Sequence, residues 1–167
     1  MASDTQSKPD DGVLRAPLRL EYPFTRTTGP VVGGFLTGLR EGMVLGAKRA
    51  DGSVLCPPLE YDPITSEPLT ELVEVEQSGT VTTWTWNGEP RAQQPFDQPF
   101  AWAMIALDGA DTPMLHGVFV DGPEAMSTGM RVSLQWREER EGHIADIAGF
   151  VPLNEEEGSV PLNEEAS

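Results

Sequence analysis

Two histidines are the side chains of this sequence best suited to acid–base chemistry. His116 lies in the apolar segment PMLHGVFV, and His143 stands three residues before Asp146 in HIADIAGF. An imidazole near a carboxylate can act as a general base, so these three residues could form a hydrolytic or hydratase site. Neither histidine has a serine or cysteine nearby in an elbow or glycine-rich context, so a triad would depend on contacts made only by folding. We therefore expect structural roles for both histidines.

The spacing of the other reactive residues predicts neither a metal site nor a nucleotide site. On a strand, His143 and Asp146 would point to opposite faces and could not chelate one ion. Cys56 is the only cysteine, which excludes an intramolecular disulfide and a multi-cysteine metal site. The glycines of GPVVGG and DGADT match no P-loop or dinucleotide fingerprint. We expect no catalytic centre in this chain.

The charge of the sequence argues against a nucleic-acid partner. The 167 residues include 27 acidic and 11 basic side chains, with a formal net charge of -16. Such a surface repels phosphate backbones, whereas a single-strand-binding module needs a basic groove. No run approaches the roughly 18 apolar residues of a membrane span, and the polar start of the chain lacks a signal-peptide pattern. We expect a cytoplasmic protein that binds neither nucleic acid nor membranes.

A short amphipathic helix is the first predicted element, at residues 31–40. Pro30 suits its first turn, and Gly42 suits its C-terminal cap. Its apolar stripe consists of Val31, Val32, Phe35, Leu36 and Leu39. The pair Asp51-Gly52 then predicts a tight β-hairpin, which Pro57-Pro58 ends.

Strand patterns dominate the rest of the sequence. They cover residues 70–76, 80–86, 99–108, 113–120, 130–136 and 143–150. If the first two segments form one bent strand, the plan is five strands with a short helix at Pro123 between the third and fourth. This is the plan of an OB-fold, a five-stranded Greek-key barrel, and a six-stranded β-sandwich is the alternative. In TVTTWTW, alternation places Trp84 and Trp86 on the face opposite Val81.

These patterns divide the chain into five parts. A disordered arm and a flexible acidic tail are expected at the ends, because both are polar and the tail repeats the hexapeptide VPLNEE. The parts are the arm at 1–16, an N-terminal segment with the amphipathic helix at 17–42, the hairpin and loop at 43–69, the barrel at 70–150 and the tail at 151–167.

The order of helix, hairpin, double-proline loop and barrel resembles the acyl-CoA-associated zinc-ribbon/OB-fold proteins, which are small partners of thiolase-fold enzymes. The family helix motif F-x-x-G-L-x-x-G is matched from Phe35 to Gly42. The first barrel strand is matched from Gly79 to Trp84, and the G-M-x-V segment from Gly129 to Val132. The match extends over about residues 20–150.

The zinc ribbon departs from the family pattern. Aligning Gly52 and the double proline with the family puts other residues at the four cysteine positions, namely Lys48, Asp51, Asp62 and Thr65. A lysine beside carboxylates cannot replace a tetrahedral thiolate site. The resemblance therefore implies a degenerate, metal-free hairpin, with no zinc and no other cofactor in this chain.

The resemblance implies a non-catalytic accessory subunit that binds and stabilises a thiolase-fold enzyme and helps to form its acyl-CoA channel. The coenzyme A thioester would be bound mainly by the partner. The segments EYPFTRTTGP and FAWAMIALDGAD are similar to the branch paired with lipid-transfer-protein-like enzymes, including retro-aldolases of steroid side-chain degradation, in a hetero-oligomer such as a heterotetramer.

Two alternative functions fit parts of the sequence. A small stand-alone acyl-CoA hydrolase or hydratase would use His116, His143 and Asp146, and a nucleic-acid-binding OB module would use stacked tryptophans.

For the accessory subunit, we expect partner contacts from the helix face and the aromatic strands: Phe35, Leu36, Leu39, Trp84, Trp86, Phe100 and Trp102.

Overall fold

A computed structural model describes residues 27–153, which form one α-helix, a three-stranded sheet and a closed five-stranded barrel. The predicted mostly β class with a five-stranded barrel is confirmed. The expectations for the arm, for residues before 27 and for residues after 153 lie outside the described part. No helix among residues 27–153 has the length and apolar character to span a membrane. The elements are α1 (Pro30–Glu41), β1 (Val44–Lys48), β2 (Val54–Leu55), β3 (Leu72–Val75), β4 (Ser78–Asn87), β5 (Phe100–Leu107), β6 (Met114–Val118), β7 (Arg131–Trp136) and β8 (Ile147–Pro152).

Helix α1 is capped at both ends by side chains from distant loops. The Glu60 carboxylate accepts hydrogen bonds from the backbone N–H groups of Val31, at 3.0 Å, and Val32, at 2.8 Å. At the other end, Arg140 Nε donates to the carbonyl of Arg40, at 3.2 Å. An acid at the N-terminus and a base at the C-terminus both complement the helix dipole. The helix is therefore fixed to two loops as well as to the core.

The three-stranded sheet has the order β2-β1-β3, and all its pairs are antiparallel. The predicted hairpin is β1–β2, with Gly52 at its turn at a φ of +89°. Strand β3 pairs with β1 along residues 72–75, so the interpretation of residues 70–76 as part of the barrel is wrong. Strand β1 has a second edge whose unpaired backbone groups need a neighbour, and β3 supplies one.

The barrel has the strand order β4-β5-β6-β8-β7 and closes through the pairing of β4 with β7. Only β6 and β8 run parallel. A 3-10 turn at Pro123–Ala125 lies between the third and fourth barrel strands, where a short helix was predicted. The last strand begins at Ile147, after a second 3-10 turn, and ends at Pro152. It therefore extends two residues into the segment predicted as flexible tail.

A β-bulge in β4 changes which side chains face the core. The register of β4 against β5 shifts between Val81 and Thr83. The extra residue, Thr82, brings Trp84 and Trp86 to the same inward side as Val81. Both tryptophans pack against the main core, and Val81 is buried. The prediction that the tryptophans face away from Val81 is therefore wrong.

The sheet is joined to the barrel by the turn that follows β5. Asp111 exchanges two hydrogen bonds with the backbone of Val54: its Oδ2 accepts at 2.7 Å, and its own N–H donates at 2.8 Å. The Thr112 hydroxyl accepts from the Cys56 N–H at 2.8 Å and donates to the Cys56 carbonyl at 3.1 Å. This turn orients the hairpin on the barrel.

Candidate functional site

Two of the four positions aligned with cysteines, Asp51 and Asp62, contact one guanidinium group. Arg49, which directly follows β1, contacts Asp62 through Nε at 2.8 Å and through Nη2 at 3.3 Å. Its Nη1 donates to Asp51 Oδ2 and to Ser53 Oγ, each at 3.0 Å. The Arg49 side chain thus joins the hairpin turn to the loop that carries Asp62. We call Arg49, Asp51, Ser53 and Asp62 the Arg49 cluster.

The electrostatics of the Arg49 cluster favour its charged form. The hydrogen bond from Arg49 lowers the pKa of Asp62 to about 2, and the backbone N–H groups of Ile64 and Thr65 act in the same direction. The hydrogen bond with Asp62 raises the pKa of Arg49 above its ordinary value. Ser53, through its hydroxyl and its backbone N–H, lowers the pKa of Asp51. Arg49 therefore pairs its positive charge with the carboxylates of Asp51 and Asp62.

The four cysteine-equivalent positions do not fit a zinc ion. Lys48 pairs with Glu71 at 3.2 Å on the exposed surface, and Thr65 donates its backbone N–H to Asp62. Asp51 and Asp62 both contact the Arg49 guanidinium group. Within residues 27–153, no group of three or more histidine, cysteine or carboxylate side chains has a metal-binding arrangement.

Asp146 and His143 cap a turn, because the strand predicted from residue 143 begins only at Ile147. Residues 144–146 form a 3-10 turn, and the Asp146 carboxylate accepts backbone N–H groups from Glu141 at 3.1 Å, Gly142 at 2.7 Å and His143 at 3.0 Å. Burial opposes ionisation of Asp146, but these bonds outweigh it and lower its pKa. His143 Nδ1 accepts the Ala145 N–H at 3.1 Å. The carboxylate and this nitrogen are therefore engaged with backbone.

His116 is buried beside this turn and lines one cleft with His143 and Ile144. It is 7% exposed, and its Nδ1 has no hydrogen-bond partner in the described part of the chain. Burial lowers the pKa of His116, although the backbone carbonyls of Gly117 and Ile144 oppose this effect. Burial also raises the pKa of the Cys56 thiol to about 12, which keeps it protonated at neutral pH. Among the described residues that line the cleft with His116 and His143, none is a serine, threonine or cysteine.

The residues expected to contact a partner separate into buried and surface groups. Phe35, Leu39 and Phe100 are core residues with at most 4% exposure, so they have almost no surface to offer. Leu36, Trp84 and Trp86 are partly buried and pack against the same core. Trp102 is partly exposed on the outer side of the barrel.

Two residues that the sequence reasoning did not select extend the surface around Trp102. Met104 follows it on the same face of β5, and Leu115, directly opposite Met104 on β6, is 58% exposed. Thr83 and Thr85 border this surface from β4. We call Trp102, Met104 and Leu115 the outer apolar face. Pairing of β5 with β6 creates it, and neither strand alone has a signal for it.

The barrel also matches a known family model. The match is to the model described as ChsH2, C-terminal OB-fold domain, over residues 72–137. The matched range contains four of the five barrel strands, β4 to β7. This match, together with the closed five-stranded barrel, confirms the resemblance seen in the sequence. No curated protein gives a significant match to the chain.

Two solved structures are similar to the chain. One is the Ltp2-ChsH2(DUF35) aldolase, with a TM-score of 0.57 and 18% identity over 79% of this chain and 98% of that chain. The other is a protein of unknown function from the DUF35 family of Sulfolobus solfataricus, with a TM-score of 0.51 and 19% identity over 64% of this chain and 78% of that chain. At these identities, the two structures establish a shared fold.

Proposed function

We propose that this OB-fold protein is a non-catalytic accessory subunit of a thiolase-fold, lipid-transfer-protein-like enzyme. The observation that carries the proposal is the match of the barrel to the ChsH2 C-terminal domain. It is supported by the similarity of the whole described fold to a chain of the Ltp2-ChsH2(DUF35) aldolase. In this proposal the partner carries out the chemistry. That chemistry is the retro-aldol cleavage of a carbon–carbon bond in the coenzyme A thioester of a steroid side chain.

The bonding of the candidate catalytic residues supports a non-catalytic role. Asp146 and His143 cap a backbone turn, and the Cys56 thiol is buried and protonated. General acid–base catalysis needs a group within hydrogen-bond reach of the substrate. A carboxylate that already accepts three backbone N–H groups is poorly placed for that task.

The outer apolar face is the surface we propose for the enzyme. An exposed leucine beside a tryptophan and a methionine is typical of the apolar centre of an interface. The charge of -16 favours a partner with a basic surface around that centre. The acyl-CoA thioester would bind at or near this interface, mainly to the partner, in a hetero-oligomer such as a heterotetramer.

Co-expression with a lipid-transfer-protein-like enzyme tests the proposal. We expect the two chains to elute together in size-exclusion chromatography, and Leu115→Glu to weaken their association at least about tenfold, because it places a charge in an apolar contact. Ile64→Glu is the matched control, since Ile64 is 77% exposed on the ribbon loop. Separate elution of the wild-type chains would refute the proposed complex. Equal effects of the two variants would refute the proposed surface.

A further inference from the structure

Strand β3 forms one edge of the three-stranded sheet. The strand order is β2-β1-β3, so β1 pairs with one side of β3, and no strand among residues 27–153 pairs with its other side. At the opposite border of the sheet, Asp111 already bonds the backbone of Val54 in β2. An unpaired edge is a template for a further strand, and proteins commonly cover or blunt such edges. β3 is therefore the place where a strand can add to this sheet.

The backbone groups that point to this side of β3 belong to Leu72 and Glu74. The Lys48 N–H donates to the Glu71 carbonyl at 2.9 Å, and β1 runs antiparallel to β3 in a constant register. Because hydrogen-bonded residues alternate along antiparallel strands, the odd-numbered residues of β3 bond to β1, and Leu72 and Glu74 point their N–H and C=O groups away from it. We call this side of β3 the outer edge.

The outer edge is acidic. Glu71, Glu74 and Glu76 are exposed, and no basic residue lies between 71 and 76. Lys48 pairs with Glu71, and no other residue from 71 to 76 has an ion-pair partner among residues 27–153. A second copy of this chain would bring the same glutamates to an antiparallel pair of outer edges, where opposed like charges are destabilising. Charge therefore favours an extended segment with basic side chains over a second copy.

The sequence before α1 contains such a segment. Residues 15–26 read RAPLRLEYPFTR, with three arginines and one glutamate. Apolar side chains stand at every second position from Leu18 to Phe24, and this alternation is typical of a strand. Pro23 suits an edge strand, because it has no N–H to donate to a neighbour on both sides. The pattern fits a strand that adds to the border of an existing sheet.

The chain enters the described part of the structure beside β3. Only residues 27–29 separate the segment from α1. Val31, in the first turn of α1, packs in one cluster with Leu72, and a Cβ atom added to Gly34 would lie 2.5 Å from Leu72 Cδ1. Strand β3 spans roughly 13 Å, and seven extended residues span about 23 Å, so residues 18–24 are long enough to pair along all of it. The short tether also gives a high effective concentration at the outer edge.

We propose that residues 18–24 pair with the outer edge of β3 as a fourth strand of the sheet, with the arginines of residues 15–26 beside its glutamates. The proposal concerns this chain alone and does not depend on the proposed partner enzyme. Pro23 sets the phase of the pairing. Because its nitrogen cannot donate, Pro23 and the other odd-numbered residues point away from β3, and Leu20 points its N–H towards β3. The added strand covers an edge that would otherwise be open to other chains.

Amide hydrogen exchange of the full chain, followed by NMR, tests the pairing. We expect the Glu74 N–H to exchange at least about tenfold more slowly in wild type than in Leu20→Pro, which removes a donor that faces β3. Glu21→Pro is the matched control and should keep the protection of Glu74, because residue 21 points away from β3. Val73, whose N–H bonds to β1, should stay protected in all three proteins and reports that the sheet is folded.

The outcomes distinguish the possible occupants of the outer edge. An unprotected Glu74 N–H in wild type, or the absence of nuclear Overhauser contacts between residues 18–24 and β3, would overturn the proposal and leave the glutamates as charges that blunt an open edge. Equal protection of Glu74 in the three proteins would overturn the assignment to residues 18–24. Protection that grows with protein concentration, together with a doubled mass in light scattering, would assign the edge to a second copy instead.

Discussion

Arg49 is the residue that best explains how the β1–β2 hairpin is held to the loop that carries Asp62. It contacts two of the four cysteine-equivalent positions, and its partner Asp62 is 5% exposed. The sequence identified Lys48, Asp51, Asp62 and Thr65 by alignment, but Arg49 lies between aligned positions and has no place in a cysteine pattern. Alignment therefore located the site, and only the fold revealed which cation the carboxylates surround.

Substitution of Arg49 should destabilise the protein more than substitution of its neighbour, Lys48. Arg49→Met leaves the buried Asp62 carboxylate without its guanidinium, and uncompensated buried charges are costly. Lys48→Met makes the same change of charge, but the Lys48–Glu71 pair is exposed and contributes little. We expect the midpoint of thermal unfolding to fall by several degrees for Arg49→Met and to change little for Lys48→Met. Equal midpoints for the two variants would contradict the role of the cluster.

The same cluster predicts a dependence of stability on pH. The pKa of Asp62 is lowered to about 2 from the ordinary 3.8. Its stabilising contribution is therefore complete above the unfolded value and is lost as the pH falls from about 4 to about 2. In chemical denaturation at a series of pH values, Asp62→Asn should be less stable than wild type at pH 6, and the difference should narrow towards pH 2. A constant difference would show that ionisation of Asp62 is not involved.

Among the secondary-structure elements, the helix and the hairpin have local signals and are predicted from the sequence. The features that depend on strand pairing are not. Helix α1 follows from its apolar spacing and from Pro30, and the hairpin follows from Asp51-Gly52. The bulge at Thr82 and the pairing of β3 with β1 depend on register and on a free strand edge, which leave no local pattern. For that reason the sequence predicts the barrel but not its details. The predicted first strand is too long, and Trp84 and Trp86 are predicted on the wrong face.

Helix α1 provides a test at this scale, because its N-terminus is capped from 28 and 29 residues away. Glu60→Ala removes both hydrogen bonds and the charge at the dipole, and we expect a loss of about 1 kcal/mol in the free energy of unfolding. Glu60→Gln keeps an acceptor oxygen and should lose less. Urea denaturation measures both, with Glu67→Ala as the control from the same exposed loop. A loss for Glu67→Ala as large as that for Glu60→Ala would refute the cap.

For the whole molecule, the sequence indicated the fold family, while the candidate site required the assembled barrel. The family motifs are local, so the fold class could be read from them. The outer apolar face joins residues of β5 and β6 and is bordered by β4, so it depends on the register of these strands. Three of the expected contact residues, Phe35, Leu39 and Phe100, are core residues instead, since apolar spacing alone does not distinguish a core face from a docking face.

The central claim is that this chain works by associating with a thiolase-fold enzyme through its outer apolar face. The most direct measurement is isothermal titration calorimetry of the full chain with a purified lipid-transfer-protein-like enzyme, comparing wild type, Leu115→Glu and Ile64→Glu. The account predicts saturable binding by wild type and Ile64→Glu, and at least about tenfold weaker binding by Leu115→Glu. No binding by the correctly folded wild-type chain, or equal binding by all three proteins, would contradict it.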